Sequence, residues 1–162
     1  MSARRKRIGL KGELLLAFMP MATVLLVLAL VEALSNQRLL FASLASSAFL
    51  IYLDPEHAVN QVRTLLLAQI GSAAIGLICY QLLGPGYLSG GLAMVLAIGL
   101  MIVSDAMHPP AVSSALSFGL RSGDASNLLL FCMAAGITAL LVVMQRMALW
   151  TLRRVTRRNS TR

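Results

Sequence analysis

Asp105-Ala106-Met107-His108-Pro109-Pro110-Ala111 ends a run, residues 64–104, that holds no charged residue. A carboxylate, an imidazole and two adjacent prolines therefore meet where an apolar segment stops. In a bilayer ionisable groups are costly and proline breaks the backbone ladder, so their coincidence marks a candidate functional site. The composition supplies the setting. Hydrophobic residues make up 58% and charged residues 12% of the 162 positions, and the mean hydropathy is +0.80. Soluble domains carry about a quarter charged residues, so this composition describes an integral membrane protein. At about 20 residues per crossing the chain has room for one bundle of roughly four to six helices and for no second domain.

Outward from the His-Pro-Pro segment, apolar stretches cover residues 14–34, 39–53, 64–83, 88–104 and 128–150, with a sixth, 111–120, too short to cross alone. Breaks fall at Asn36-Gln37-Arg38, Asp54-Pro55-Glu56-His57, Gly84-Pro85-Gly86 and Arg121-Ser122-Gly123-Asp124. Pro20 predicts a kink in the first helix. The fold expected is all-α, a polytopic bundle of five to six membrane-embedded helices with a short helix after the prolines. Its parts are a basic cytoplasmic N-terminus (1–13), one membrane helical domain (14–150) and a basic cytoplasmic tail (151–162).

The net charge of +8 comes from the ends, which hold eleven of the fourteen basic residues: Arg4, Arg5, Lys6, Arg7 and Lys11, then Arg146, Arg153, Arg154, Arg157, Arg158 and Arg162. Nucleic-acid binding would need basic residues interleaved with aromatics on a folded face; basic flanks beside apolar segments instead follow the positive-inside bias. Both termini are expected on the cytoplasmic side of an inner membrane, in contact with lipid. An even number of crossings follows, met by six embedded elements, or by four if 39–53 or 88–104 fails to span. The first apolar run is longer than a signal-peptide core and reads as a retained helix.

Asp54-Pro55-Glu56-His57 echoes Asp105-Ala106-Met107-His108 fifty-one residues earlier, and the helices before each pair at a similar offset, as in a parallel repeat. Asp54 followed by Pro55 has the form of a cap for the helix leading into Thr64. Metal sites need three or four clustered ligands; Cys79 and Cys132 show no ligand spacing, and His57 and His108 with Asp54 and Asp105 would form a pseudo-symmetric site only if the fold brought them together. A nucleophile constellation is missing too. No metal, cofactor or enzymatic activity is expected.

Pro109 and Pro110 suit the first turn of a helix. The amides after them, at Ala111, Val112 and Ser113, would then point back toward His108 with the positive end of the helix dipole behind them, a setting for an anion. The alternative is that the prolines only end one helix and start another, with Asp105 as a cap or partner. Arg63, beside Asn60 and Gln61, precedes the charge-free run and either attracts an anion or anchors the cytoplasmic face. Ser43, Ser46 and Ser47 share one helical face, and Ser113, Ser114 and Ser117 repeat the habit after the prolines. Such faces allow close helix packing, or line a polar path. Gly71, Gly76, Gly90 and Gly91 read as packing positions, and Trp150 as an interfacial residue.

His108-Pro109-Pro110-Ala111, followed by Ser113-Ser114-Ala115-Leu116, resembles the signature of the HPP family of small integral membrane proteins. Ala45-Ser46-Ser47-Ala48-Phe49-Leu50 resembles that family's small-residue helix, and Pro55 to Gln61 with Arg63 its proline-rich segment. The resemblance implies four membrane helices, and nitrite transport as in plant and cyanobacterial relatives. It carries over to His108, Pro109, Pro110, Gln61 and Arg63. The chain departs from the family pattern at Val62, Gln69 and Val112, where proline, histidine and glycine are common.

The function expected is a transporter or channel subunit for a small anion, nitrite by the family resemblance, working as a homo-oligomer. Its substrate site is built from His108, Pro109, Pro110, Ala111, Ser113, Ser114, Asp105, Arg63, Gln61, Ser46 and Ser47. A neutral-to-cationic change at His108, near the ordinary imidazole pKa of about 6.5, would couple transport to pH. The rival is a non-transporting accessory protein that packs its small-residue faces against a partner complex.

Overall fold

The apolar stretches fold as helices because each is long, uncharged and bounded by residues that break the ladder. In the computed structural model these are α1 (Ser43–Leu53), α2 (Val62–Leu83), α3 (Tyr87–Val103), α4 (Pro110–Leu120) and α5 (Asn127–Ser160), with a single 3₁₀ turn, Ala58–Asn60, between α1 and α2. The structure describes residues 18, 21–22, 24–30, 32–33, 43–121 and 126–160, with side chains through 151. The described positions of the first apolar run are helical. The expectations for Pro20, for residues 1–13 and 36–38 and for Ser122-Gly123-Asp124 lie outside the described residues. Every described residue in a regular element is helical, as an all-α bundle requires. Among the described residues two helices are long and apolar enough to cross a membrane, Val62–Leu83 and Asn127–Thr151; α1, α3 and α4 are shorter apolar helices.

Four helix ends have clear causes. Gly84, with φ 76°, caps α2 by donating its amide to the Tyr80 carbonyl, and Gly86, with φ 149°, precedes α3; both are conformations that glycine adopts without strain. Asp105 adopts a left-handed φ of 49° after α3, and the Ala106 amide reaches back to the Met101 carbonyl at 3.0 Å. That pairing is the Schellman stop. Pro110 opens α4 at its first turn. Asp54 acts one step earlier than expected: its carboxylate accepts the Glu56 amide at 3.2 Å in a local turn, while Gln61 is the N-cap of α2. Helix α5 also continues through Ser160, so the backbone of the basic tail is helical from 151 to 160.

At the centre, α2, α3 and α4 pack on one another, α5 lies against α2, and α1 against α4 and α5. Small residues make this possible. A Cβ on Gly76 would sit 2.6 Å from the Phe118 Cβ and 2.7 Å from the Ala115 carbonyl oxygen, and one on Gly119 would sit 2.7 Å from the Gly90 Cα. Helix backbones touch at these points, as small-residue packing in membranes allows. Gly71 is likewise closed off by Leu100, but a Cβ on Gly91 would meet nothing within 4 Å among the described residues, so Gly91 is not a close-packing position there. The interior is lined by Ala73, Ala93, Ala97, Ala111 and Ala115, whereas Leu82, Leu88, Val95, Ile102, Leu128 and Val143 are exposed. Large aliphatic side chains outside and small or polar ones inside suit a lipid surround.

The two ends of the bundle differ. At one, Gln145 on α5 donates to the Pro55 carbonyl at 3.2 Å, and Arg63 donates to the Ser104 carbonyl at 2.8 Å and the Asp105 carbonyl at 3.4 Å. At the other, Arg121 donates to Asn127 and stacks over the Tyr80 ring, 4.0 Å from its centroid. Replacing Gly119 with Ala forces α3 and α4 apart at a backbone contact and is expected to destabilise the protein by about 1–3 kcal/mol. Gly91→Ala fills open space on a helix and should be neutral or stabilising by up to about 1 kcal/mol. Thermal unfolding of the two variants in detergent checks this; equal melting temperatures would remove the close-packing account.

Candidate functional site

His108 lies in the connection between α3 and α4, outside both helices, with no exposed surface. The Schellman stop turns the chain inward at Ala106, and Pro110 fixes the start of α4, so the ring is directed under the 3₁₀ turn. Its Nδ1 is 2.9 Å from the Val59 carbonyl oxygen. A carbonyl only accepts, so Nδ1 carries the hydrogen and donates. In the neutral ring Nε2 is then an acceptor, and the Ser47 hydroxyl donates to it at 2.9 Å.

That single tautomer orders everything behind it. Ser47 Oγ accepts from Gln69 Nε2 at 3.0 Å. Gln69 Oε1 accepts from Ser114 Oγ at 2.9 Å. Ser114, having given its hydrogen to Gln69, accepts from Ser43 Oγ at 2.7 Å. Five side chains from α1, α2, α4 and the His108 connection thus form one relay, Ser43 to Ser114 to Gln69 to Ser47 to His108, with every hydrogen pointing toward Val59. All five are buried. At the Ser43 end lies a cavity of about 10 Å³, lined by Ser43, Gln69, Ser114 and Thr138 on its polar side and by Ala73 and Phe118 among its apolar walls. That is room for the centre of roughly one water molecule.

Of the residues singled out in the sequence, the structure brings His108, Ser47 and Ser114 together. Ser46 is exposed and donates to the Ser43 carbonyl of its own helix, and Ser113 is exposed on α4. Gln61 is exposed at the N-cap of α2. Pro110 and Ala111 are buried, Pro109 exposed. Arg63 ties the turn after α3 through its carbonyls, and the Asp105 side chain is exposed. Two of the three amides expected to face an anion are engaged: Ala111 donates to the His108 carbonyl at 2.9 Å and Val112 to the Pro109 carbonyl at 3.1 Å. The donors nearest the ring are side chains instead.

The two Asp-x-x-His segments do approach each other, through backbone rather than through paired side chains. His57 is exposed and its Nδ1 accepts the Val59 amide at 3.3 Å, while the Val59 carbonyl holds His108. Among the described residues no three His, Cys, Asp or Glu side chains gather as metal ligands. Sequence reading missed Gln69 as a site residue, along with Val59 and Thr138, and singled out Ser43 only as part of a serine face. For Gln69 a signal existed: it is an amide in an uncharged run, on the same face as Ser72, Ala73 and Gly76 at spacings of three, four and seven.

A family description, HPP, transmembrane region, matches residues 7–159. The chain belongs to the HPP family. No curated protein and no solved structure matches it. As an HPP membrane protein it carries the His-Pro-Pro motif at a structural junction: the His enters the relay and the second Pro opens α4.

Burial pulls the His108 imidazole below its ordinary pKa of 6.5, with the Val59 carbonyl acting in the opposite direction. A folded-state pKa below the unfolded one means that the unfolded chain binds the proton first, so stability is full above about 6.5 and falls as pH drops below it. Denaturation midpoints between pH 8 and 5 are expected to decline in the wild type and to decline less in His108→Gln. Ser47→Ala leaves His108 Nε2 and Gln69 Nε2 without their buried partner and should destabilise by about 1–3 kcal/mol. Ser46→Ala, one residue away but facing outward, should change stability by under about 0.5 kcal/mol.

Proposed function

We propose that this HPP protein is a transporter or channel subunit that moves a small anion through the bundle, without enzymatic activity, as a homo-oligomer in a cell inner membrane. The observation that carries this reading is the relay itself. A chain of serine, amide and imidazole groups, buried among apolar helices and ending in a polar-lined cavity, offers hydrogen bonds to a solute at membrane depth. Most small-residue faces need no such continuity. The hydroxyls and the Gln69 amide are neutral donors, suited to a weakly held monovalent anion that must also leave. Nitrite is the candidate that the family resemblance suggests.

The orientation we propose has support from the same geometry. Helix α5 runs toward the end of the bundle that carries Arg63, and its sequence continues into Arg146, Arg153, Arg154, Arg157 and Arg158. By the positive-inside bias that end is cytoplasmic, and the six apolar segments would then return the chain to the side where it started. An accessory role is favoured by a different feature, the broad exposed face of α5 around Leu128, Val143, Met147 and Trp150, which lipid or a partner chain would cover.

Uptake decides between them. Protein reconstituted in liposomes is expected to admit nitrite faster than protein-free vesicles, and Gln69→Leu, which cuts the relay at its middle, to lower the rate by about tenfold, the equivalent of one lost hydrogen bond. Circular dichroism and gel filtration of the variant establish that it is folded. Uptake no faster than in empty vesicles, for nitrite and for other monovalent anions, would leave the accessory role.

A further inference from the structure

The donor direction of the relay has a second solution. When a proton is added to His108 Nε2, both ring nitrogens become donors. Nδ1 keeps its bond to the Val59 carbonyl, and Nε2 now donates to Ser47. Ser47 must then turn its own hydrogen elsewhere, and its neighbour is Gln69. A half-turn of the Gln69 amide presents Oε1 to Ser47 and Nε2 to Ser114. Ser114 in turn donates to Ser43. Every hydrogen bond is remade in reverse, no bond is lost, and the only covalent change is the new N–H. Because all five side chains are buried, solvent does not offer a cheaper arrangement.

The consequence appears at the far end. In the neutral state the Ser43 hydrogen points to Ser114 and its lone pairs are free; in the reversed state that hydrogen is displaced toward the cavity that Ser43 lines with Gln69, Ser114 and Thr138. Thr138 donates its own hydrogen to the Ala134 carbonyl at 2.8 Å. We infer that this cavity is a binding site for one acceptor atom of a small monovalent anion, and that protonation of His108 converts the site from acceptor to donor through the intervening four side chains. The inference rests on the anion-transport reading and adds its coupling: one proton taken up with each anion bound.

A buried hydroxyl hydrogen without an acceptor is costly, so the reversed relay is favoured when an acceptor atom of an anion enters the cavity, and by reciprocity the anion is held best when His108 is charged. The proton also supplies the countercharge that an anion in an apolar bundle needs. Other titratable groups around the ring do not compete for this role. Glu56 and His57 before α2, Arg63 on α2, Asp105 after α3 and Arg146 on α5 are exposed. Asp54 is half-buried and bonded to the Glu56 amide.

Two measurements on the full chain in nanodiscs test the inference separately from transport. In the first, without ligand, ¹⁵N resonances of the His108 ring and the Gln69 side-chain amide are followed against pH. Both are expected to move with one midpoint, and the Gln69 response to vanish in Ser47→Ala while His108 still titrates. A Gln69 amide that stays still as His108 titrates, or a His108 that stays neutral until the protein unfolds, overturns the switch even if nitrite is transported.

In the second, nitrite binding is measured by calorimetry in buffers of different ionisation enthalpy. One proton taken up per nitrite, with affinity rising about tenfold for each unit of pH lowered above the His108 midpoint, supports the coupling. Nitrite binding that is independent of pH overturns it and leaves anion transport standing. Co-titration of His108 and Gln69 with no nitrite or chloride binding at any pH overturns the assigned ligand and, with it, the anion-transport reading.

Discussion

The Val59 carbonyl can accept a hydrogen bond and cannot give one, and it meets a ring that has no exposed surface. With Nδ1 committed as donor, the other nitrogen of the neutral ring must accept, and each group behind it inherits a direction: Ser47, then Gln69, then Ser114, then Ser43. In water each of these groups would be free to reorient against solvent. Inside the bundle an unmade bond is expensive, so the order propagates through the whole relay.

That order depends on how closely the helices approach. A serine hydroxyl reaches about one side-chain length from its backbone, so Ser114 on α4 meets Gln69 on α2 only if those helices nearly touch. Gly76 against Ala115 and Phe118, and Gly119 against Gly90, make the approach possible. Small residues and hydroxyls are therefore one device rather than two: the packing brings the polar groups within reach, and the polar groups are satisfied by one another instead of by water. The aliphatic side chains displaced from the interior cover the outside, where lipid tails are their natural surround.

Charged residues keep to the ends. Arg63 binds the carbonyls released where α3 stops, so it steadies the turn that delivers His108. Asp105 contributes through its left-handed backbone rather than its carboxylate, a conformation that Asp tolerates better than most residues. The stretch from Asp105 to Ala111 is thus mostly a backbone device, with the chemistry gathered in the imidazole two residues before the second proline.

Membrane character, the helix segments and the break points were legible in the sequence, because apolar length, proline and glycine act locally and leave their mark on consecutive residues. Apart from α5, which runs on through Ser160 past its apolar stretch, the helices α1 to α4 begin and end within a few residues of the apolar stretches, and the His-Pro-Pro segment was recognisable as a junction. The site was only partly legible. Ser46 and Ser47 look alike in sequence, as do Ser113 and Ser114, and one residue of rotation, about 100° around a helix, puts one inside and its neighbour outside. Gln69 and Val59 could not be joined to His108 from the chain alone, since a hydrogen bond between residues 49 apart, as from His108 to Val59, is set by which helices pack and at what depth. Local chemistry determined the elements; the direction in which five buried hydrogens point was decided only when the tertiary fold removed water and left each donor a single acceptor.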